Sequence, residues 1–201
     1  TATNGTGADA LAISATGISG EATIKNGTAD DAYSGFGTGL EWYGQLNCAM
    51  AVRLKTDDIA ATKIEVGFTD ATDDGGACND LDGATFTATD CAVWAFDTDD
   101  STDNWKLAST PDGGTTDTVT DTSIAPVADT YETLIVALED TAAHFYRLDS
   151  NGYQTYRASH TTGPSKDVAL TPWVFTQTRE GSDEKTVTVD FIRVWQRRTV
   201  S

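Results

Sequence analysis

Short stretches of alternating apolar and polar residues dominate this chain, and clusters of Gly, Asp, Asn and Ser separate them at fairly regular intervals. Because successive side chains of a strand point to opposite faces, the alternation is typical of half-buried strands. The frequent turn residues are typical of antiparallel connections. No long stretch carries a helical apolar stripe. The sequence therefore predicts an all-β fold, an antiparallel β-sandwich.

The alternation predicts twelve strands, each bounded by turn residues. Residues 56–61 predict one helical turn, with Asp57 or Asp58 as its cap. The last predicted strand has apolar side chains on both faces, so we expect it to be central in its sheet. The predicted strands span residues 10–14, 21–25, 40–54, 62–69, 84–88, 91–97, 104–109, 131–138, 142–149, 153–159, 168–178 and 185–196.

The connections between strands are also marked in the sequence. Asn151-Gly152 predicts a tight hairpin, because this pair adopts the positive φ angles that such turns require. The polar links at residues 70–83, 97–103 and 110–123 have no apolar anchors, which favours exposed loops. An all-β sandwich of 201 residues normally stays one domain. We predict a single domain over residues 1–201, with residues 1–9 as an extended arm.

The charge balance excludes several classes of partner. Thirty-one acidic against thirteen basic side chains give a net charge of −18, with Asp in great excess over Glu. This argues against nucleic acid and against an anionic membrane surface, both of which require clustered Lys and Arg. Such acidity occurs in proteins of halophilic organisms and their viruses, and equally on acidic extracellular proteins. High salt or bound cations would relieve the self-repulsion.

No apolar run approaches the roughly twenty residues that span a bilayer. The chain opens at Thr1 without a charged and apolar leader, which indicates processing or trimming. Three cysteines leave at least one unpaired. Cys78 and Cys91 would close a short loop if they were bridged, whereas Cys48 lies in an apolar run as a core residue. None has the spacing of a zinc site.

Three segments together resemble a known group of proteins. They are residues 105–138, residues 170–198 with their VDFIRVW strand, and EVGFTDATDDGGA at 65–77 followed by FTATDCAVWAFDTDD. They resemble concanavalin A-like jelly-roll domains of virion proteins from tailed bacterial and archaeal viruses. More distantly, the final strand is similar to the D-[YF]-[IV]-R-V-[YW] strand of laminarinase-type β-glucanases. The resemblance implies a jelly-roll sandwich and a place in a virion; a secreted protein is the alternative.

Catalytic motifs are missing from the sequence. The glucanases carry two catalytic glutamates in an E-x-D-x-E strand, since retaining hydrolysis needs carboxyl groups about 5 Å apart. None of the seven Glu makes this pattern, and the nearest approach, at residues 180–184, falls in a predicted turn. His144 and His160 have no evident companion, and no G-x-S-x-G motif occurs. We therefore predict that the protein is not an enzyme.

Two acidic loops are candidates for ligand and metal binding. Lectin-type sandwiches bind sugars through loop carboxylates, an Asn and an exposed aromatic, and one loop offers all three kinds of side chain. The alternative is a solvated loop whose Trp packs inward. These ligand candidates are Asp97, Asp99, Asp100, Asn104 and Trp105.

The second loop, DATDDGG at residues 70–76, offers hard oxygen ligands in a flexible segment, as Ca²⁺ prefers. Its candidate metal ligands are Asp70, Asp73 and Asp74, in a structural calcium site without the EF-hand pattern. No other cofactor is expected. Asn4 and Asn26 begin glycosylation sequons that also make turns.

Three functions follow from these observations. The first is a non-enzymatic virion structural protein, such as a head decoration, turret, fibre or tail component, that contacts other virion proteins and forms a homo-oligomer. Its basic end, with Arg193, Arg197 and Arg198, would dock on an acidic neighbouring subunit. The second is a carbohydrate-binding, lectin-like module that recognises a surface glycan. The third is an active glycoside hydrolase.

Overall fold

The computed structural model describes residues 2–4, 12–13, 20–72, 75–113, 116–180 and 183–198. These residues form one short 3-10 helix (Gly44–Leu46) and sixteen strands. In chain order the strands are β1 (Ala2–Asn4), β2 (Ala12–Ile13), β3 (Ala22–Lys25), β4 (Tyr33–Gly37), β5 (Ala49–Thr56), β6 (Thr62–Thr69), β7 (Cys78–Asp80), β8 (Thr85–Phe86), β9 (Cys91–Asp97), β10 (Lys106–Thr110), β11 (Thr118–Asp121), β12 (Glu132–Glu139), β13 (Ala142–Leu148), β14 (Gln154–His160), β15 (Thr171–Thr178) and β16 (Thr186–Trp195).

Two seven-stranded sheets face each other. Sheet A has the order β1-β4-β15-β6-β9-β10-β11, and sheet B has the order β14-β13-β12-β5-β16-β3-β2. Neighbouring strands in both sheets are antiparallel, and β7 and β8 form a separate small hairpin. This confirms the predicted antiparallel β-sandwich.

The main core lies between the sheets, where every second side chain of the central strands points inward. Trp94 of β9 is at its centre. Its ring makes edge contacts with Trp105 at 6.4 Å, Phe145 at 6.2 Å and Tyr156 at 5.8 Å between centroids. Its Nε1–H donates to the carbonyl oxygen of Ile135 in sheet B at 3.1 Å. Trp94 thus joins both sheets by packing and by a hydrogen bond.

A second, smaller core lies on the outer side of sheet A. Between β6 and β9 the chain makes an excursion, residues 70–90, which includes the β7–β8 hairpin. Its residues Ala77 and Leu81 are buried in a cluster with the outward-facing Val93 of β9. The excursion therefore covers this part of sheet A. The prediction of an exposed loop at residues 70–83 is wrong, because its few apolar residues do serve as anchors.

Strand boundaries agree with the predictions where apolar alternation is strong, as at β6 and β9. The predicted strand at 40–54 begins only at Ala49, after the 3-10 helix. Strands β4, β7 and β11 were not predicted, and β1 lies in the segment predicted as an extended arm. In β4, Gly35 lies beneath the Trp173 ring of β15, so that the strand needs no apolar side chain at that position.

The helical turn predicted at 56–61 is wrong. Thr56 ends β5, and Asp58 Oδ1 instead accepts the N–H of Ala60 at 2.9 Å in a loop. The hairpin at Asn151-Gly152 is confirmed between β13 and β14, but only Gly152 has a positive φ, 84°. The side chain of Asp149 closes this turn by accepting N–H groups of the loop.

The last strand, β16, pairs with β5 on one side and β3 on the other, which confirms that it is not an edge strand. Its register shifts between Val189 and Phe191, so Asp190 is an extra residue. Such a bulge reverses the alternation. Val187 and Val189 face the core before it, whereas Ile192 packs against the core after it.

Several smaller predictions have structural answers. Cys48, Cys78 and Cys91 are all buried and free, so the bridge between the last two does not form. Asn26 is fully buried and its Oδ1 accepts the Lys185 N–H at 2.6 Å, which leaves no access for glycosylation. Within residues 1–9, only the edge strand β1 is described. No helix among the described residues is long and apolar enough to cross a membrane.

Candidate functional site

The acidic loop after β9 is tied into ion pairs. Arg179 donates from Nε to Asp97 Oδ1 at 3.0 Å and from Nη2 to Asp97 Oδ2 at 2.6 Å, and its Nε lies 3.6 Å from Asp99 Oδ2. Asp100 Oδ2 lies 3.1 Å from Lys106 Nζ. Burial raises the pKa of Asp100, and Lys106 opposes that rise. Two cations thus compensate the carboxylates that the sequence offered for ligand binding.

The other two residues predicted for this ligand site are also engaged. Asn104 Nδ2 donates to both carboxylate oxygens of Asp121, at 3.1 and 3.3 Å. Trp105 is fully buried, and its Nε1–H donates to Glu132 Oε1 at 2.9 Å. Trp105 precedes Leu107 by two residues and shares its inward direction. The structure therefore corrects the prediction of Trp105 as a surface platform and places it in the core.

An unexpected buried ion pair lies on the outer side of β6, under the excursion. Lys63 Nζ lies 3.4 Å from Glu65 Oε1, and both side chains have no exposed surface. Glu65 accepts the N–H groups of Ala77 at 2.6 Å and Cys78 at 3.0 Å. Lys63 donates to the carbonyl oxygens of Gly75, at 2.8 Å, and of Cys78. The pair therefore fastens the excursion to sheet A.

This arrangement leaves no accessible acid or base on the outer face of β6 and β9. The outward-facing carboxylates of these two strands are Glu65, with no exposed surface, and Asp97, with 2%. The first accepts main-chain N–H groups and the second binds Arg179. A carboxyl group that transfers protons to a substrate must lie within hydrogen-bond reach of it. Neither carboxylate meets this condition.

The predicted calcium loop lies at the start of the excursion. Asp70 Oδ1 accepts the N–H groups of Thr89 at 3.0 Å and Asp90 at 3.1 Å, which joins the two ends of the excursion. Burial raises the pKa of Asp70. Asp73 and Asp74 lie outside the described residues. Within the described part of the chain, no group of three or more His, Cys, Asp or Glu could hold a metal ion. Calcium binding at the loop stays a prediction.

A buried Ser–His contact links sheet A to sheet B. Ser109 Oγ lies 2.7 Å from His160 Nδ1 and donates to the carbonyl oxygen of Thr162 at 2.8 Å. Because the hydroxyl has one proton, His160 Nδ1–H donates to Ser109, and Nε2 accepts from Thr120 Oγ1 at 3.1 Å. A nucleophilic serine would instead donate its hydroxyl proton to the imidazole nitrogen. Burial lowers the pKa of His160 to about 4. The contact is therefore structural.

Sheet B has no comparable covering excursion among the described residues. We call the outward side of β14, β13, β12, β5 and β16 the open face. The strand register aligns its side chains in rows. In the first row, Arg157 is opposite Tyr146, which is opposite Ile135, then Ala51 and finally Arg193.

The adjacent row gives the open face its shape. It runs from Ser159 to His144, Ala137, Ala49 and Trp195 across the same five strands. His144 Nδ1 and Ser159 Oγ are 2.7 Å apart, which fixes the imidazole ring against β14. Small side chains thus occupy the two middle strands, and larger ones occupy the strands on either side.

Part of these two rows lines a groove of about 380 Å³. Ala49 and Ala137 form its floor, Tyr146 and His144 line one side, and Trp195 lines the other. Trp195 is 50% exposed, one of the few large apolar side chains with so much free surface. An open trough between aromatic side chains, with polar groups at its rim, has the features of a ligand site.

Arg157 and Arg197 line this groove, and Arg193 lies beside it on the same face. Arg157 lies over the Tyr146 ring at 5.6 Å, and Arg193 lies over the Phe191 ring at 5.1 Å. Arg197 lines the groove beside Trp195. Arg193 and Arg197 belong to the basic end that the sequence analysis identified. Its third residue, Arg198, is exposed. Arg157 and the groove were missed, because they depend on the register between distant strands.

Comparison with known proteins gives structural matches only. No family model and no curated protein matches the sequence. A protein of unknown function from Shewanella oneidensis MR-1 superposes with a TM-score of 0.67 and 15% identity, covering 100% of this chain and 79% of that one. Alginate lyase A1-II', of polysaccharide lyase family 7, gives 0.53 and 14%, covering 91% and 82%. A pseudo β-1,3-glucanase and immunostimulatory antigen of Mycobacterium tuberculosis gives 0.55 and 12%, covering 89% and 76%.

These identities are low, so the similarities show the fold alone. The chain has a jelly-roll β-sandwich fold, similar to that of proteins described as a polysaccharide lyase and as a pseudo β-1,3-glucanase. The same fold hosts many unrelated functions, so the function must be argued from the site.

Proposed function

We propose that this protein is a carbohydrate-binding module without catalytic activity, and that a glycan lies along the open face of sheet B. The proposal rests on one observation: the half-exposed Trp195 and the ring of Tyr146 flank a groove whose floor is two alanines. Aromatic rings combine a broad apolar face with low conformational entropy, which suits them to flat, hydroxyl-rimmed ligands.

The absence of glycoside hydrolysis is supported by the state of the carboxylates. Retaining hydrolysis needs two carboxyl groups about 5 Å apart, and inverting hydrolysis needs two that are farther apart. On the outer side of sheet A, Glu65 and Asp97 are both buried; Glu65 accepts main-chain N–H groups and Asp97 binds Arg179. On the open face, the described carboxylate that lines the groove is Glu139. A second catalytic carboxyl is missing among the described groove residues.

The structural comparisons are compatible with this function. Among the similar structures are an alginate lyase and a protein named a pseudo β-1,3-glucanase. A jelly-roll protein that binds a carbohydrate without cleaving it is compatible with a fold found both in a polysaccharide lyase and in a protein named a pseudo-enzyme.

The test is binding to a glycan array by the wild type and by Trp195→Ala. We expect wild-type binding to at least one glycan and at least tenfold weaker binding by the variant, because aromatic side chains dominate such contacts. Tyr153→Ala is the matched control, since Tyr153 is 73% exposed but lies in the β13–β14 turn.

Two results would contradict the proposal. One is a wild-type protein that binds no glycan, or a Trp195→Ala variant that binds as well as the wild type. The other is stoichiometric release of reducing ends or unsaturated products from a bound polysaccharide, which would establish an enzyme.

Location in a virion is a separate proposal that is supported by the sequence resemblance. None of the similar structures named above is described as a viral protein. A glycan-binding face would suit an outer component of a particle that meets a host surface. Copurification with purified particles, in symmetric copies, would support this location, and its absence from them would contradict it.

A further inference from the structure

We infer that the ligand of the open face is an acidic polysaccharide, one that carries carboxylate or sulfate groups along its chain. This inference rests on the proposed function and names its ligand class. It follows from the placement of the few basic side chains in a strongly acidic protein.

Just over half of the basic side chains form ion pairs. Seven of the thirteen Lys and Arg side chains lie within 4.0 Å of a carboxylate. The other six have no carboxylate that close among the described residues; they are Lys55, Arg157, Lys166, Arg193, Arg197 and Arg198. Nearly half of the basic side chains therefore have no described carboxylate within 4.0 Å.

These cations are concentrated on one side of the molecule. Arg157 and Arg193 are at the two ends of one row of the open face, and Arg197 lines the groove. Lys55, on β5, lies over the Tyr131 ring at 5.2 Å. Two uncompensated cations therefore line the groove, and two more lie on the same face of sheet B.

The spacing of the arginines suits an extended ligand. Neighbouring strands lie about 4.8 Å apart, so the backbones of β14 and β16 are about 19 Å apart across four intervals. A single small anion cannot bridge Arg157 and Arg193 over that distance. A polymer with repeated negative groups can contact both while its sugar rings pack against Trp195 and Tyr146.

The guanidinium group also suits this chemistry. Its planar fork donates two parallel hydrogen bonds to a carboxylate or to an oxyanion of similar shape. Each of Arg157 and Arg193 packs on one aromatic ring, which orients the group without using all its N–H donors. One described carboxylate, Glu139, lies in the groove, where its oxygen is 3.7 Å from His144 Nε2.

Non-specific attraction is an unsatisfactory alternative explanation. A net charge of −18 repels polyanions at long range, and the Debye length at physiological ionic strength is about 8 Å. A polyanion would therefore bind only where local cations and packing overcome the repulsion. This makes the identity of the surface testable by single charge removals.

The experiment is titration calorimetry with three polysaccharides at 0.15 M salt: polygalacturonate, dextran sulfate and the neutral β-glucan laminarin. We expect at least one acidic polymer to bind at least tenfold more tightly than laminarin. Arg157→Gln and Arg193→Gln should each weaken that binding at least fivefold. Lys166→Gln removes the same charge from a residue that belongs to neither row and does not line the groove, and it should change binding less than twofold. Thermal unfolding verifies that each variant is folded.

The two acidic polymers distinguish the source of the negative charge. Preference for polygalacturonate identifies carboxylates, and preference for dextran sulfate identifies sulfates. Laminarin binding that equals acidic-polymer binding, with both arginine variants unchanged, overturns this inference but leaves the proposed function intact. Failure to bind any glycan overturns the proposed function itself. A dimer that both arginine variants disrupt, without polysaccharide binding, would assign the open face to a second copy of the chain.

Discussion

Glu65 fastens the excursion to sheet A, and Glu65→Gln is expected to release it. The wild-type carboxylate accepts two main-chain N–H groups, from Ala77 at 2.6 Å and Cys78 at 3.0 Å, and lies 3.4 Å from Lys63 Nζ. A glutamine has the same shape but only one acceptor oxygen. Its NH₂ group would face one of the two N–H donors, and the buried cation of Lys63 would lose its nearest carboxylate.

The size of the effect follows from these contacts. Removing one partner of a buried ion pair costs about 3–5 kcal/mol, because an uncompensated charge remains buried. Asp97, 4.0 Å from Lys63 Nζ, compensates part of that charge, so we expect about 3 kcal/mol. The control is Glu184→Gln, whose partner Lys25 is partly exposed. An exposed pair of this kind contributes less than about 1 kcal/mol.

The assay combines urea unfolding with thiol labelling of the native protein. Cys78 and Cys91 belong to the small core under the excursion, whereas Cys48 belongs to the main core. If Glu65→Gln opens the excursion, the first two thiols should react faster while Cys48 remains protected. A free energy of unfolding within about 1 kcal/mol of wild type, with all three thiols equally slow, would refute this account of Glu65.

Two further predictions concern stability. Burial lowers the pKa of His160 to about 4, below its unfolded value of 6.5, so its contribution to stability is complete above pH 6.5 and falls as the pH approaches 4. Between pH 7 and 5 the wild type should lose about 2 kcal/mol of unfolding free energy through this residue. Urea unfolding measured at several pH values should show a weaker dependence of the unfolding free energy on pH for His160→Gln than for the wild type, and an equal dependence would contradict the assignment. At Gly35, an added Cβ would lie 2.3 Å from Trp173 Cη2. Gly35→Ala should therefore cost about 1–3 kcal/mol in thermal or urea unfolding, and a wild-type midpoint would show that the ring moves freely.

Local patterns in the sequence were sufficient for most of the fold. Strands β6 and β9 alternate strongly and were predicted with correct boundaries. Strand β4 was missed because Gly35 has no side chain, and its apolar cover comes from Trp173 on another strand. The prediction of an exposed loop at 70–83 was wrong for a related reason. Ala77 and Leu81 are not part of an alternating apolar and polar pattern, but they still pack on sheet A.

The sites depend on contacts between distant residues, which local patterns do not show. Lys63 and Glu65 alternate with apolar neighbours and resemble a solvent-exposed strand face, yet the excursion buries both. Trp105 points into the core because it precedes β10 in the same alternation as the buried Leu107. Arg193 was identified from charge contrast alone, whereas its alignment with Arg157 requires the pairing of five strands.

The most direct test of the central claim is to map a bound glycan by amide chemical shifts in ¹⁵N-labelled protein. An oligogalacturonate and a laminarin oligosaccharide would be titrated separately. We predict that one of them shifts the amides around Ala51, Ile135 and Arg193, on the open face of sheet B. Shifts confined to sheet A around Trp173, or no shifts with either sugar, would contradict the claim that the open face binds carbohydrate.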